Sequence, residues 1–173
     1  MSKIAVYADW EGLRGPQRLG FLHSRRTRAS ELFEFEYAAE ALTEPLLGGV
    51  RLDPHLHAFG GPQSPPAPRD KFGVFDDSSP DRWGRNLMDR RFEREKRAGL
   101  LPADARLYES DYLLGVHDQY RVGALRYRLE DEGDFLDNRI DMAAPPFTEI
   151  RSLEKASRAL EQDPENVAAK GQY

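Results

Sequence analysis

The sequence predicts an α+β fold in which an antiparallel sheet packs on a few helices. Two observations carry that expectation. Residues 32–37, Leu-Phe-Glu-Phe-Glu-Tyr, put Phe33, Phe35 and Tyr37 on one side of a strand and Glu34 and Glu36 on the other. That alternation marks a strand with one face on a core and one in water. Residues 79–97 open on Ser-Pro-Asp and then repeat Trp83, Leu87, Met88 and Phe92 at three-to-four spacing, the apolar stripe of an amphipathic helix.

Taken in chain order, Ile4–Asp9 reads as a first strand, closed by the Gly- and Pro-containing residues 10–17. Leu19, Phe21 and His23 alternate with Gly20, Leu22 and Ser24, a returning strand over 17–24, and 31–37 completes a meander. Residues 38–75 read as mostly irregular. Within them, 60–69 hold four prolines and two glycines, the composition of an exposed extended loop. Ser79 is the expected N-cap of the next helix, with Pro80 at its first position and Asp81 near its positive end. Gly99, after Lys96 and Arg97, is its C′ stop. The stripe assigns Trp83 to the core. Between 81 and 97 seven basic side chains face four acidic ones, a local charge of +3, so the outer face is basic.

Residues 107–115 suit a shorter helix with Leu107, Tyr108 and Leu114 inward and Gly115 at its end. A turn at 117–120 leads into a strand over 121–129, with Leu125, Tyr127 and Leu129 on one face and Arg126 and Arg128 on the other. Residues 130–148 are acidic and then Pro-containing, a linker or hairpin. Residues 149–162 carry Ile150, Leu153, Ala156 and Leu160 at helical spacing, and 163–173 form a tail. The sheet is expected to contain 4–9, 17–24, 31–37 and 121–129, packed on the helices 80–97 and 107–115.

Bulk composition narrows the function. The 173 residues are 39% hydrophobic and 32% charged, and nine Phe, seven Tyr and two Trp supply core material that a disordered chain lacks. A net charge of −5 and a pI near 5.5 argue against nucleic acid as the main partner, because phosphate binding needs a basic surface. The absence of cysteine excludes disulfides, thiolate zinc sites and cysteine nucleophiles. No apolar run approaches the roughly 20 residues that span a bilayer, and the N-terminus reads as a strand rather than a secretion signal. A soluble cytoplasmic protein is expected.

Each cluster of reactive side chains also has a plain structural reading. Asp76, Asp77 and Asp81 form a candidate acid/base or metal group, yet aspartate before a helix also serves as cap and dipole partner. His55 and His57 would share one side of a strand as a metal pair, but zinc takes about four ligands and no third lies near. His117 reads as a turn residue. Arg82, Arg85, Arg90, Arg91, Arg94 and Arg97 are candidates to grip an acidic partner, against the plainer role of a solvated helix face. Residues 70–73, Asp-Lys-Phe-Gly, depart from the kinase magnesium motif by the intervening lysine, and no His-Arg-Asp segment precedes them. No phosphate-binding loop, dinucleotide fingerprint or nucleophile elbow is present.

Two blocks in order go beyond this reading. Asp77, Pro80, Asp81, Trp83, Gly84 and Arg85 form the first, preceded by Ser79 at the helix start; Leu113, Leu114, Gly115 and Val116, followed by Arg121, Gly123, Ala124 and Leu125, form the second. Their order and separation resemble the N-terminal region of HipA-like serine/threonine kinase toxins of type II toxin–antitoxin systems. The resemblance spans most of residues 4–129. It implies a HipA N-terminal-like domain that packs on a kinase core and contacts a helix-turn-helix antitoxin; on the basic face of the 80–97 helix, Arg82, Arg90, Arg91 and Arg94 are the candidate partner-contact residues. In that family the phosphate-binding loop and the residues that hold ATP and Mg²⁺ lie C-terminal to this region, so residues 149–162 would lead toward a kinase core beyond Tyr173. The resemblance therefore implies a bacterial, cytoplasmic domain of a persistence-associated kinase, with no catalytic, cofactor or metal residue of its own. A separate small regulator that neutralises a distinct kinase chain is the alternative. An independent small enzyme built on Asp76, Asp77 and Asp81 is the third reading.

Overall fold

The computed structural model describes residues 2–27, 30–118, 121–129 and Phe135. It is α+β, as the sequence predicts. Strands β1 (Ser2–Ala8), β2 (Gln17–Arg26) and β3 (Glu31–Tyr37) form the meander, followed by short helices α1 (Ala39–Thr43) and α2 (Pro45–Gly48). A two-residue strand β4 (Pro62–Gln63), helices α3 (Gly73–Asp77), α4 (Arg82–Arg97) and α5 (Glu109–Leu114), and strand β5 (Leu125–Arg128) complete the described elements. The sheet is antiparallel with order β4-β3-β2-β1-β5.

Cross-strand rows build the inner layer. Ile4, Leu22 and Phe35 lie opposite one another, and so do Tyr127, Val6, Gly20 and Tyr37. Phe33, Phe35 and Tyr37 are buried and Glu34 and Glu36 are not, so the strongest strand signal in the sequence keeps its phase. The inner face packs on Ala41, Leu47, Leu56, Phe72, Phe75 and Leu113. The Phe35 ring lies 5.4 Å from that of Phe75 and 5.0 Å from that of Tyr37. Burial of a large apolar side chain of this kind stabilises by roughly 1.5–3 kcal/mol.

In β2, Leu19, Gly20, Leu22 and Ser24 are buried, while Phe21 and His23 are not. The register between β1 and β2 shifts at Val6/Tyr7, so that Leu19 is an extra residue. An inserted residue flips the alternation on either side of it. Leu19 therefore stays in the core although Phe21 leaves it. Residues 38–75 are mostly irregular, as read, but hold α1, α2 and the start of α3. The Pro-rich loop, expected to be exposed, buries Gln63, with β4 pairing opposite Phe35 and Glu36. The strand expected over 121–129 shortens to Leu125–Arg128, and Leu129 is exposed. In α5 the buried residues are Ser110 and Leu113, with Leu107 and Tyr108 before the helix. The acidic linker over 130–148, the helix over 149–162 and the tail over 163–173 lie outside the described residues, Phe135 excepted.

Candidate interaction surface

The candidate site is α4 and what anchors it. Its N-cap is Asp81 rather than Ser79: the Asp81 Oδ1 accepts from the Gly84 N–H at 2.7 Å. Ser79 instead donates its hydroxyl to the Phe75 carbonyl at 2.8 Å, closing α3, while Pro80 precedes the cap. Two cap-competent residues stand two apart, and the end of α3 takes the first. At the other end Gly99 has φ +73°, the Gly99 N–H donates to the Lys96 carbonyl and the Leu100 N–H to that of Glu95, both at 3.0 Å. This is the glycine stop expected from the sequence.

No residue of α4 is fully buried. Trp83, assigned to the core by its stripe, is 44% exposed. The reason is that the helix lies on the periphery and is held by polar contacts on one arc. The Arg85 guanidinium pairs with both oxygens of Glu109, Nη1–Oε1 at 2.7 Å and Nη2–Oε2 at 2.9 Å, and stacks 4.7 Å from the Tyr112 ring. The Tyr112 hydroxyl donates to Asp89 at 2.5 Å. Met88 reaches the end of α5 so closely that a Cβ on Gly115 would stand 2.3 Å from its Cε. A Cβ on Gly84 would similarly stand 2.9 Å from that of Pro80.

Glu109 is the hub. It also accepts from Lys71 Nζ at 2.7 Å, and Lys71, only 8% exposed, pairs with Asp76 at 2.9 Å. The hydrogen bond from Arg85, helped by Lys71 against the cost of burial, pulls the Glu109 carboxyl down to about 2. The same bond raises Arg85. Burial, then the bond to Asp89, pushes the Tyr112 hydroxyl up to about 12.

Arg121 is the second anchor. Though 9% exposed, its guanidinium donates to the carbonyls of Ser78 (2.9 Å), Leu113 (2.7 Å) and Val116 (2.9 Å), and lies 4.6 Å from the Tyr127 ring. It thus ties the ends of α3 and α5 to β5. Gly123 takes φ +88°, and the Ala124 carbonyl accepts from the Asp9 N–H at 2.8 Å to align β5 on the sheet. The two sequence blocks therefore meet: Arg85, on the helix that Asp81 caps through Gly84, braces α5 through Glu109, and Arg121 clasps Leu113 and Val116. Leu113 is in the core and Leu114 packs against it.

The opposite arc of α4 faces solvent. Arg82, Trp83, Asn86, Arg90, Glu93, Arg94 and Arg97 are all exposed, and at 100° per residue they share one side of the helix. Four arginines and a tryptophan are thus set against one carboxylate, which itself lies 3.6 Å from Lys96. Arg91 does not belong to this arc, for it is half-buried and bonded to Glu95 at 2.9 Å. Three of the four contact candidates, Arg82, Arg90 and Arg94, are presented outward; Arg91 is not.

The aspartate cluster is divided. Asp76 holds Lys71, Asp81 caps α4, and Asp77 is exposed at the end of α3. His55 and His57 lie in a turn rather than a strand, with exposed side chains and only their backbones engaged: the His55 N–H donates to Asp53 at 2.8 Å and the His57 N–H to Gln63 at 2.9 Å. His117 is half-buried between α5 and β5. Among the described residues no group of three or more His, Asp or Glu is placed to hold a metal ion, and no helix is long and apolar enough to cross a membrane. Sequence reasoning missed Lys71 and Glu109, which are 38 residues apart, and the buried Glu31, which accepts from the N–H and hydroxyl of Ser110, both at 2.8 Å. No short-range pattern marks such pairs. No family model, curated protein or solved structure matches the chain.

Proposed function

We propose that this chain is a protein-interaction module, the N-terminal domain of a HipA-like serine/threonine kinase toxin, working in the cytoplasm. The supporting observation is the division of α4 into two arcs. One arc is committed to Glu109, Tyr112 and Gly115, and the other presents Arg82, Trp83, Arg90, Arg94 and Arg97 outward. An outward row of guanidinium groups beside an indole suits an acidic protein surface: arginine offers bidentate donors to carboxylates, and tryptophan and arginine are the residues most often found to anchor interfaces. In this reading the partners are the kinase core and its helix-turn-helix antitoxin, while ATP and Mg²⁺ belong to the kinase core. The residues of the two blocks that resemble the family serve as cap, brace and clasp, which suits a domain whose task is to hold a shape.

Co-expression with a HipA-type kinase core and its antitoxin tests the proposal. Elution of all three as one complex on gel filtration is the expected result; elution of this chain alone would overturn it. The regulator of a separate kinase is favoured by one observation, that β1–β3, β5 and helices α1, α2, α3 and α5 close a core among residues 4–127. Loss of kinase activity when this chain is added in trans would select it.

A further inference from the structure

The outer arc of α4 has a periodicity of its own. Trp83, Leu87, Arg90, Arg94 and Arg97 follow one another in steps of four, three, four and three residues. That is heptad spacing, about 3.5 residues on average, by which one helix lays a straight seam against another. At about 100° per residue the five positions stay within a stripe about 80° wide, and at about 1.5 Å per residue the row runs for about 21 Å. Its two halves differ in chemistry. Trp83 is exposed, and Leu87, one turn on, is half-buried but packs against neither buried cluster of the described residues. Met88, the next apolar residue, turns the other way, to Gly115. Arg90 and Arg94 are exposed and carry no ion pair among the described residues.

Resting on the reading of this arc as a docking face, we propose that what docks there is an α-helix of the partner protein. Its own heptad positions are apolar where they meet Trp83 and Leu87 and bear carboxylates where they meet Arg90 and Arg94. The spacing selects a helix. Facing side chains of an extended strand recur about every 6.6 Å, out of step with a row whose mean spacing is about 5.3 Å. The charge selects the sign. An arginine enclosed in a seam is costly unless a carboxylate meets it, and a carboxylate can take both donors of the guanidinium fork. Because only one half of the row is cationic, the pairing also fixes which end of the partner helix lies over which half of α4.

The test titrates the full chain calorimetrically with a three-heptad helical peptide that has leucine at the seam positions of one half and glutamate at those of the other. It is made in both orders, so that parallel and antiparallel seating are both offered, and beside it runs a peptide of the same composition with the heptad order scrambled. One of the two heptad peptides is expected to bind at least tenfold more tightly than the scrambled one. That advantage should be lost with Arg90→Glu/Arg94→Glu, and regained by the same variant when the seam glutamates of the peptide are changed to lysine. Equal binding of heptad and scrambled peptides, or no binding of either heptad peptide, overturns the helix as the docking partner. The reading of the arc as an acidic-partner face falls separately, when the chain fails to co-elute with the kinase core and antitoxin.

Discussion

Arg85 and Glu109 meet through two parallel hydrogen bonds of 2.7 and 2.9 Å, joining the first turn of α4 to the first residue of α5. The pair turns a helix with no fully buried residue into a fixed part of the domain, and it leaves the other arc of that helix for a partner. A bidentate geometry of this kind is specific to arginine. Arg85→Lys is therefore expected to lower the melting temperature, and a temperature equal to that of the unaltered chain would contradict the role.

The pair also sets a pH dependence. Glu109 titrates near 2 in the folded chain, below its ordinary value of 4.5. A depressed carboxyl contributes stability above its unfolded value and loses it as pH falls through the folded one. The difference in melting temperature between the unaltered chain and Glu109→Gln should be constant above about pH 5 and shrink from there toward pH 2. A difference that persists unchanged at pH 2 would assign the stabilisation elsewhere.

Arg121 offers a larger effect. Its removal strands the carbonyls of Ser78, Leu113 and Val116 around a buried gap. Arg121→Ala should cost about 2–4 kcal/mol, the range for losing charge-assisted bonds and leaving buried acceptors unmet. Urea unfolding at neutral pH measures this directly, and a cost under about 0.5 kcal/mol, that of an ordinary surface change, would refute the clasp.

Gly20 tests the sheet. A Cβ there would stand 2.1 Å from the Glu36 carbonyl oxygen and 2.9 Å from the Tyr37 Cα, both backbone atoms with no room to yield. Gly20→Ala should destabilise by at least about 3 kcal/mol, as overpacking against an unyielding neighbour does at its upper range, or abolish folding. A variant with unchanged circular dichroism and melting would mean that β2 and β3 pair more loosely.

Trp83 separates stability from binding. Its stripe with Leu87, Met88 and Phe92 argues for burial, and a buried tryptophan would cost about 3–5 kcal/mol on truncation. At 44% exposure, Trp83→Ala should instead change stability by less than about 1 kcal/mol and weaken partner binding. A loss of several kcal/mol would return the ring to the core.

What the sequence disclosed follows from the range of the physics. The alternation of Phe33, Phe35 and Tyr37 and the stop at Gly99 are local patterns, and both hold in the structure. The register shift of β2 was not legible, because a single inserted residue, Leu19, has no local signature. The expected burial of Trp83 failed for a different reason. Helical spacing identifies a stripe but not what covers it, and α4 is covered by charged partners from residues 24 positions away. Lys71, Glu31 and the clasp of Arg121 depend on contacts across 5 to 79 residues, which composition and periodicity do not encode. The exposed arginines at 82, 90 and 94 were legible as a basic helix face; the withdrawal of Arg91 into its bond with Glu95 was not.

The most direct measurement is a calorimetric titration of the full chain and its Arg90→Glu/Arg94→Glu variant with a purified HipA-type kinase core and helix-turn-helix antitoxin. The account predicts saturable binding by the unaltered chain, and at least tenfold weaker binding by a variant whose melting temperature is preserved. Equal affinities for the two chains, or no binding by the unaltered chain to either protein, would contradict the claim that the outer arc of α4 is a docking face.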